Sequence, residues 1–564
     1  MTQTEAQTAL CARAYALFEE FRSAYAGEWR RLEHAERMYC GDHWHEIPEG
    51  DPNEPRPSTP IIQSTVENIA ADLMDALPEA LISPESPDDA EAARVVEALI
   101  RQNHDAASYE REYRRLAHDL LVGGYMVQEV GYDPALNNGL GGAFIRHADN
   151  RGVLFDPLCT DLQDGRAVFK FAVRTREWLS ARFPAYTGES DGYASQAVVE
   201  DLLLSADRTK TALLIEYWWR EYDEKDNRTR VHMAQLAGGK VLADSRDTKP
   251  QGYFAHGQYP FLVTPLFTRK GSPLGYGIVD LFAAQQQFAD KLDQIVLKNA
   301  LMASRNKLLV TSASGFDADD LRDWSKQVHT GESLNGVSWF ATPPLPAYII
   351  QYIRLLQESI KEESGANDFS RGSAAGGITA ASAITAMQEM SSKRSRMATR
   401  QMHEAYREAV RMEIEVEREF NLLPRAVTVV VNGEERRATF DGRMLEKPLP
   451  DGRSLPVEFA ISIKVQKQNR WSVISQNELI LQMLRLGVLQ PDQAVELMHF
   501  EGKELVLRQA RQNAKKESEA TGGTPAGTSA GAAPGAPAAE SAASPGGGNM
   551  LKNLFRRNAG AKRS

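Results

Sequence analysis

A glycine-rich segment between two helical stretches is the first candidate for chemistry in this sequence. It runs from Ser364 to Ile384 as SGANDFSRGSAAGGITAASAI and contains one arginine, Arg371. Glycine-rich turns that open a helix often bind phosphate through their backbone N–H groups. A Walker loop would need a lysine where Ile378 and Thr379 follow the glycines. A dinucleotide-binding loop would need a preceding strand, whereas a helical pattern precedes this one. Two interpretations remain: a flexible connector between helices, or a loop presented into a channel.

Two further segments carry side chains that could bind a metal. The stretch DHWHE offers His43, His45 and Glu46, and histidines at i and i+2 could share one side of a strand and bind one ion. The sequence shows no third protein ligand, so we interpret it as a polar turn after the first helix. The segment FDPLCTDLQDGRAVF has three aspartates, but their spacing does not match a calcium loop. We therefore predict no metal site.

Catalytic motifs are also missing from the sequence. It contains no G-x-S-x-G, no H-E-x-x-H and no evident pair of catalytic carboxylates. We therefore expect no enzymatic activity and no cofactor.

A cluster of positive charge opens the longest helical pattern, residues 379–420. Lys393, Arg394, Arg396 and Arg400 occur there with no acid among them, and glutamates dominate further along. Four cations in eight residues could contact phosphate groups. The alternative is that they form solvated or intersubunit ion pairs.

Composition limits the class of protein. The chain has 564 residues, 42% of them apolar and 25% charged, as in soluble globular proteins, and its formal net charge is −11. An acidic protein is poorly suited to coating nucleic acid but could let it slide past. The three cysteines lack metal-ligand spacing and are expected to be buried, reduced thiols. No stretch of 18 apolar residues occurs, so we expect no membrane span.

Hydrophobic periodicity predicts an α+β fold that is mostly helical. Helices are expected over 5–40, 61–77, 276–304, 347–364 and 379–420, with two more after residue 472. Between residues 125 and 244, β-branched and aromatic runs separated by turn residues predict an antiparallel sheet. Later strands form a hairpin at Asn432–Gly433. Residues 518–548 have the composition of a disordered linker, and a basic tail follows.

The order of these elements resembles that of the portal proteins of tailed bacteriophages, the head–tail connectors, and most of all those of short-tailed phages. The resemblance is specific over residues 255–400, where YPFLVTPLFTRKGSPLGYGIVDLF and PPLPAYIIQYIRLLQESIKEESGANDFSRG are similar to the family's stem and tunnel-loop segments. GAFIRHADNRGVLFDP resembles a wing strand pair. The resemblance implies a portal fold with wing, stem, clip and crown.

The resemblance also implies boundaries for these parts. The wing would comprise residues 1–275, the stem helices 276–304 and 347–364, and the clip 305–346. The tunnel loop would comprise 365–378, with 379–471 returning to the wing as the long helix and its strands. Residues 472–515 would form the crown, and 516–564 a disordered linker and basic tail rather than a helical barrel.

The resemblance also implies an assembly, a location and a set of partners. Such proteins form rings of about twelve copies at one capsid vertex of the virion, after synthesis in the host cytoplasm. The implied partners are double-stranded DNA, the large terminase, a tail adaptor, the capsid and a scaffolding protein. Candidates for the DNA channel are Asn367, Ser370, Arg371, Lys393, Arg394, Arg396 and Arg400. Candidates for adaptor contact, on a helix expected to be exposed in the clip, are Asp317, Asp319, Asp320, Trp324 and Lys326.

Two rival functions stay open at this point. A terminase-type ATPase or nuclease would need a Walker loop and a carboxylate cluster that the sequence does not display. Another phage structural ring, such as an adaptor, or a helical scaffold without a DNA channel would not account for the stem–clip–stem order.

Overall fold

The computed structural model of the chain describes most positions up to residue 498. The described residues are 3–48, 54–188, 210–224, 227–304, 307–322, 327–340, 343–364, 393–421, 423–431, 434–448, 454–465, 470–487, 489 and 491–498. The chain divides into two compact units, Met1–Asn469 and Arg470–Ser564. The first unit contains almost all of the described structure.

Helices flank and follow the sheets of the first unit. In chain order they are α1 (Gln3–Tyr39), α2 (Ile61–Met74), α3 (Ala90–Ala107), α4 (Tyr109–His118), α5 (Arg176–Arg182), α6 (Ile278–Ser304), α7 (Ala318–Arg322), α8 (Ala347–Ser364) and α9 (Lys393–Phe420). The second unit contains α10 (Arg470–Arg485) and α11 (Pro491–Leu497). A π-helical segment at Asp119–Gly123, a single turn at Ser245–Thr248 and several short 3-10 segments are also present. The turn at Leu136–Gly139 has Asn137 and Asn138 in the left-handed region.

Every strand pair in the described residues is antiparallel. The strands are β1 (Pro78–Pro84), β2 (Tyr125–Asp133), β3 (Gly142–Ala148), β4 (Val153–Phe155), β5 (Ala167–Thr175), β6 (Thr211–Asp223), β7 (Arg228–Ala237), β8 (Lys240–Asp244), β9 (Phe261–Pro265), β10 (Phe267–Arg269), β11 (Ser272–Tyr276), β12 (Lys307–Val310), β13 (Val337–Phe340), β14 (Arg425–Val431), β15 (Glu434–Phe440), β16 (Glu446–Pro448), β17 (Ser454–Pro456) and β18 (Phe459–Val465).

Two sheets form the centre of the first unit. One has five strands in the order β4-β5-β6-β7-β8, and the other has three in the order β3-β2-β9. The remaining strands form two-stranded ribbons, among them β1 with β18 and β12 with β13. The helices pack beside antiparallel sheets rather than alternating with parallel strands, so the predicted α+β class is confirmed.

The N-terminal helix α1 packs on the five-stranded sheet through aromatic side chains. Phe18 and Phe21 lie edge-on to Phe169, each with ring centroids 5.5 Å apart. Phe169 in turn stacks on Tyr217 at 5.0 Å, and Tyr217 on Trp219 at 4.9 Å. Such geometry adds about 0.5–1.5 kcal/mol per pair to the free energy of burial. The period-3.6 stripe that predicted α1 is thus the face that contacts the core.

Several predicted elements agree with the structure. The segments predicted as strands at 125–133, 167–175 and 211–223 coincide with β2, β5 and β6. The helices predicted at 5–40, 276–304 and 347–364 correspond to α1, α6 and α8 within two residues at each end. The described part of the helix predicted over 379–420 is α9, and the residues before Lys393 lie outside the described residues.

Four expectations were wrong. The helix expected over 61–77 ends at Met74, and Pro78 begins strand β1, because proline suits the first position of an edge strand. Strands β3 and β4, expected to pair, belong to different sheets. The first of the two helices expected after residue 472 was predicted over 472–498, but it is divided into α10 and α11, because Gly487 has φ +73°. The second lies outside the described residues. Of the cysteines, Cys11 and Cys159 are buried, but Cys40 is exposed.

Within the described part of the chain, no helix combines the length and apolar character needed to cross a membrane.

Candidate nucleic-acid interface

A stripe of basic side chains follows one face of helix α9. Arg396, Arg400, His403 and Arg407 are separated by four, three and four residues. This spacing places them above one another on a single helical face. We call these four residues the basic stripe.

The basic stripe forms one wall of a surface cleft of about 570 Å³. Residues Ile461–Ile463 of β18 form the opposite wall, and Glu404 also contributes to the lining. The side chain of Arg400 is 81% exposed, and its Nε lies 3.3 Å from Oε1 of Glu404. An exposed i, i+4 pair of this kind contributes about 0.3–0.5 kcal/mol, so Arg400 can exchange Glu404 for a phosphate at low cost.

The position of the stripe is fixed by contacts at the base of the cleft. The Nε2 atom of His403 lies 2.9 Å from the backbone oxygen of Ala76, just after α2. Met402, Ala405, Tyr406 and Ala409 are buried on the inner face of α9. The helix therefore presents a basic outer face on an apolar, packed inner face, so the arginines project from a rigid support.

The second half of α9 contains glutamates that belong to the core. Glu417 has 1% of its side chain exposed, and its Oε1 accepts hydrogen bonds from Asn103 Nδ2 at 2.6 Å and from the Ala143 backbone N–H at 2.7 Å. Arg425 lies 3.5 Å from the same oxygen and is also buried. The side chain of Glu413 is fully buried, and Oε2 lies 2.9 Å from His104 Nε2. These glutamates anchor the helix in the core.

Burial shifts the ionisation of this anchor. Burial raises the pKa of Glu417, and the positive charge of the nearby Arg425 partly offsets this increase. Burial also lowers the pKa of Arg425, and the negative charge of Glu417 partly offsets this decrease. Each charge is therefore stabilised in the interior mainly by the other.

The sequence-predicted DNA-channel residues fall into two groups. Arg396 and Arg400 lie together in the cleft, and Lys393 and Arg394 begin the same helix. Asn367, Ser370 and Arg371, together with the glycine-rich segment, lie outside the described residues. Sequence reasoning missed His403 and Arg407, although their i+7 and i+11 spacing from Arg396 could have identified them.

The clip candidates lie on or beside the short helix α7. Oδ1 of Asp317 accepts the backbone N–H of Asp319 at 3.1 Å. Asp319 is 82% exposed and lies 2.9 Å from Arg322, whereas Asp320 is 26% exposed and lies 3.2 Å from His329. Trp324 and Lys326 lie outside the described residues, so the expected helix is described only over Ala318–Arg322.

The model of the family Phage P22-like portal protein matches residues 16–545, almost the whole chain. This chain is therefore a phage portal protein, which is the head–tail connector class of structural protein. It belongs to the P22-like portal family, the short-tailed type that the sequence resemblance indicated. The chain has no match among curated proteins.

Proposed function

We propose that about twelve copies of this chain form a ring at one capsid vertex, around a channel through which double-stranded DNA is packaged and later ejected. Residues 1–275 and 379–471 form the wing, 276–304 and 347–364 the stem, and 305–346 the clip. Family membership supports the vertex location, and the surface of the chain supports the ring. The portal serves the large terminase and the tail adaptor as a docking platform and catalyses no reaction itself.

One observation carries the proposal: the paired helices α6 and α8 expose apolar side chains along their lengths. Phe288, Ile295 and Met302 recur every seven residues on α6 and are 61%, 47% and 46% exposed. Tyr348 and Leu355, also seven residues apart on α8, are 68% and 59% exposed. Several large apolar side chains that are exposed along one helix pair indicate a protein–protein interface.

A second copy of the chain is the occupant that fits these stripes. In a head-to-tail contact, one face of the stem meets a different face of the next stem. Repeated contacts of this kind close into a ring when their rotations add up to one full turn without translation along the axis. Each stem would then cover its neighbour's apolar side chains. The same contact would hold α6 and α8 around a common axis.

The ribbon β12–β13 between the stem helices supports the same arrangement. It pairs Lys307–Val310 with Val337–Phe340, and it exposes 54% of Leu309 and 64% of Trp339. A two-stranded ribbon of four residues per strand is marginal alone in water. Neighbouring clips in a ring, and then the adaptor, would cover these side chains.

The charge of the chain suits a channel for a moving polyanion. The net charge of −11 limits adhesion of DNA. The basic stripe, with the Lys393–Arg394 pair and Arg371, would supply a few backbone contacts that do not depend on sequence. The capsid and scaffolding proteins complete the set of proposed partners.

Negative-stain electron microscopy with native mass measurement tests the ring. Purified wild-type chain should form rings of about twelve copies with an open axial hole. Phe288→Glu should abolish these rings, because it places a charge in the proposed interface. Tyr222→Glu is the matched control, since Tyr222 on β6 is also 61% exposed but lies outside the stem. A small closed oligomer without a hole would favour a scaffold that has no channel.

A further inference from the structure

Three side chains that could bind a metal converge at the end of helix α1, apart from the residues proposed to contact DNA. His34 lies on α1, and His45 and Glu46 lie in the turn that follows it. The Nδ1 atom of His34 is 3.0 Å from Nε2 of His45 and 3.0 Å from Oε1 of Glu46. One ligand atom from each of the three residues lies within 4.8 Å of the other two.

The turn determines which residues meet. Gly41 has φ +86°, a conformation that favours glycine, and reverses the chain after α1. His43 then points into the core, where its side chain is 1% exposed, while His45 points back to α1. The two histidines of DHWHE therefore do not share a site, and His34 supplies the ligand that the sequence pattern lacked.

The hydrogen bonds of this turn place three potential ligand atoms close together: Nδ1 of His34, Nε2 of His45 and Oε1 of Glu46. The Nδ1 atom of His45 lies 2.6 Å from the backbone oxygen of Asp42, which can only accept, so this nitrogen carries the proton. Its Nε2 therefore presents a lone pair toward His34. The carboxylate of Glu46 is a second acceptor for the same Nδ1 of His34. With a proton on Nδ1, His34 would have to donate one N–H to two acceptors. Without that proton, Nδ1 offers a lone pair, and a cation placed among the three atoms would bind all of them.

We propose that His34, His45 and Glu46 bind one divalent transition-metal ion, with Zn²⁺ as the best match. Bonds of about 2.0–2.1 Å at tetrahedral angles place ligand atoms about 3.3 Å apart, close to the two 3.0 Å separations here. Two imidazoles and a carboxylate favour Zn²⁺ over Ca²⁺ or Mg²⁺. The Asp42 carbonyl holds His45 in the ligating tautomer, as outer-shell groups do at zinc sites.

The ion would fasten the turn to α1. The same turn carries His43, whose Nδ1 contacts Asp290 on helix α6 at 2.6 Å. Fixing residues 42–46 would therefore also fix one contact between the N-terminal helix and the first of the proposed stem helices. The role is structural, and the fourth ligand position faces solvent because Glu46 is 61% exposed.

Metal titration of the untagged, full-length protein tests this site. Metal-free protein is titrated with Zn²⁺ in competition with a chromophoric chelator, and with Co²⁺ followed by visible absorption. One ion per chain is expected, with a Co²⁺ spectrum typical of four- or five-coordinate geometry. His34→Gln and Glu46→Gln should each weaken binding at least about tenfold.

His329→Gln is the matched control. His329 also pairs with a carboxylate, 3.2 Å from Asp320, and its side chain is 28% exposed, close to the 26% of His34. It should bind zinc like the wild type. Zinc affinity that is the same in wild type, His34→Gln and Glu46→Gln would overturn the proposal, as would no binding at submillimolar zinc. Glu46→Gln changes an exposed side chain, so its result does not depend on refolding.

Discussion

The Nδ1 atom of His43 lies 2.6 Å from Oδ2 of Asp290, and both side chains are almost completely buried, with 1% and 2% of their surface exposed. His43 also lies 3.1 Å from the Met38 backbone oxygen through Nε2, so both ring nitrogens face acceptors. Oδ1 of Asp290 accepts the Thr59 backbone N–H at 3.2 Å. This buried polar contact joins the turn after α1 to helix α6 across 247 residues of sequence.

Asp290→Ala should lower the free energy of unfolding by about 3–5 kcal/mol, because it breaks a buried pair. The Thr59 backbone N–H loses its carboxylate acceptor, and Nδ1 of His43 keeps only the Ser58 hydroxyl, 3.1 Å away. Urea denaturation followed by circular dichroism measures this. Asp293→Ala, one turn along the same helix, removes a half-buried carboxylate with one long contact of 3.4 Å to Thr59 and should cost less than about 1 kcal/mol. Equal decreases in the free energy of unfolding in the two variants would show that the buried His43–Asp290 contact does not contribute more to stability than the Asp293–Thr59 contact.

Glu417→Gln should also destabilise the protein by about 3 kcal/mol, since it leaves Arg425 buried without a carboxylate. The glutamine keeps the shape of the side chain, so the loss reports the charge. Glu404→Gln is the control on the same helix, because Glu404 is 48% exposed and pairs with the exposed Arg400. That change should stay within about 0.5 kcal/mol. Denaturation midpoints that fall equally in both variants would contradict the anchoring role of Glu417.

The contact between His118 and Glu36 predicts a pH dependence. His118 Nε2 lies 3.0 Å from Glu36 Oε2, and this hydrogen bond raises the pKa of His118 and lowers the pKa of Glu36. The stabilisation from His118 is present below its unfolded pKa of 6.5 and is lost as pH rises through the higher folded pKa. The stabilisation from Glu36 is present above its unfolded pKa of 4.5 and is lost as pH falls through its lower folded pKa.

The difference in Tm between wild type and His118→Gln should therefore be larger near about pH 5.5 than near about pH 8.5. Thermal unfolding at both pH values measures it. Glu36→Gln should remove the same pH-dependent difference, because it deletes the partner. A difference in Tm that is constant with pH would contradict the assignment.

Periodic elements were predictable because their pattern is local. The β-branched and aromatic runs at residues 167–175 and 211–223 predicted strands that coincide with β5 and β6. The pairing of β1 with β18 was not predictable, because its partners are separated by more than 370 residues. Sequence alone gives no register for such a contact.

The cluster of positive charge in the sequence identified two of the four residues of the basic stripe, but it did not reveal which acids of the same helix are buried. It identified Arg396 and Arg400, which lie together in the cleft. Glu413 and Glu417 were counted, without being distinguished, among the glutamates that dominate the later part of the helix, and both are buried. Their partners His104 and Arg425 are distant or follow a turn, so helical spacing could not reveal them. His34 was missed beside DHWHE for the same reason.

Asp319→Lys should weaken docking of the tail adaptor while rings still form, because Asp319 is 82% exposed on α7. Trp324→Ala should have the same effect. Co-sedimentation of purified adaptor with assembled rings measures docking. Asp105→Lys is the control, since Asp105 is exposed at the end of α3, where a cation is favourable. Unchanged docking in both clip variants would exclude this segment from the adaptor contact.

Replacing Arg396 and Arg400 by alanine, together with Lys393 and Arg394, should weaken binding of linear double-stranded DNA to assembled rings. The dependence of binding on salt should also become shallower, because fewer phosphate counterions are released. Filter binding at several salt concentrations measures both quantities. In the phage, the same variant should alter the length of DNA packaged or its retention.

The control pair for this experiment is Arg111→Ala with Arg115→Ala. These arginines on α4 are 65% and 56% exposed and lie outside the cleft, and both contact Glu112, whose side chain is 7% exposed. Equal salt dependence in both sets would exclude the four residues changed on α9 from contact with DNA. If Arg371→Ala alone reproduced the packaging defect while the four-residue variant of α9 packaged normally, the glycine-rich loop would be the element that contacts DNA. The four cations of α9 would then serve ion pairs such as Arg400–Glu404.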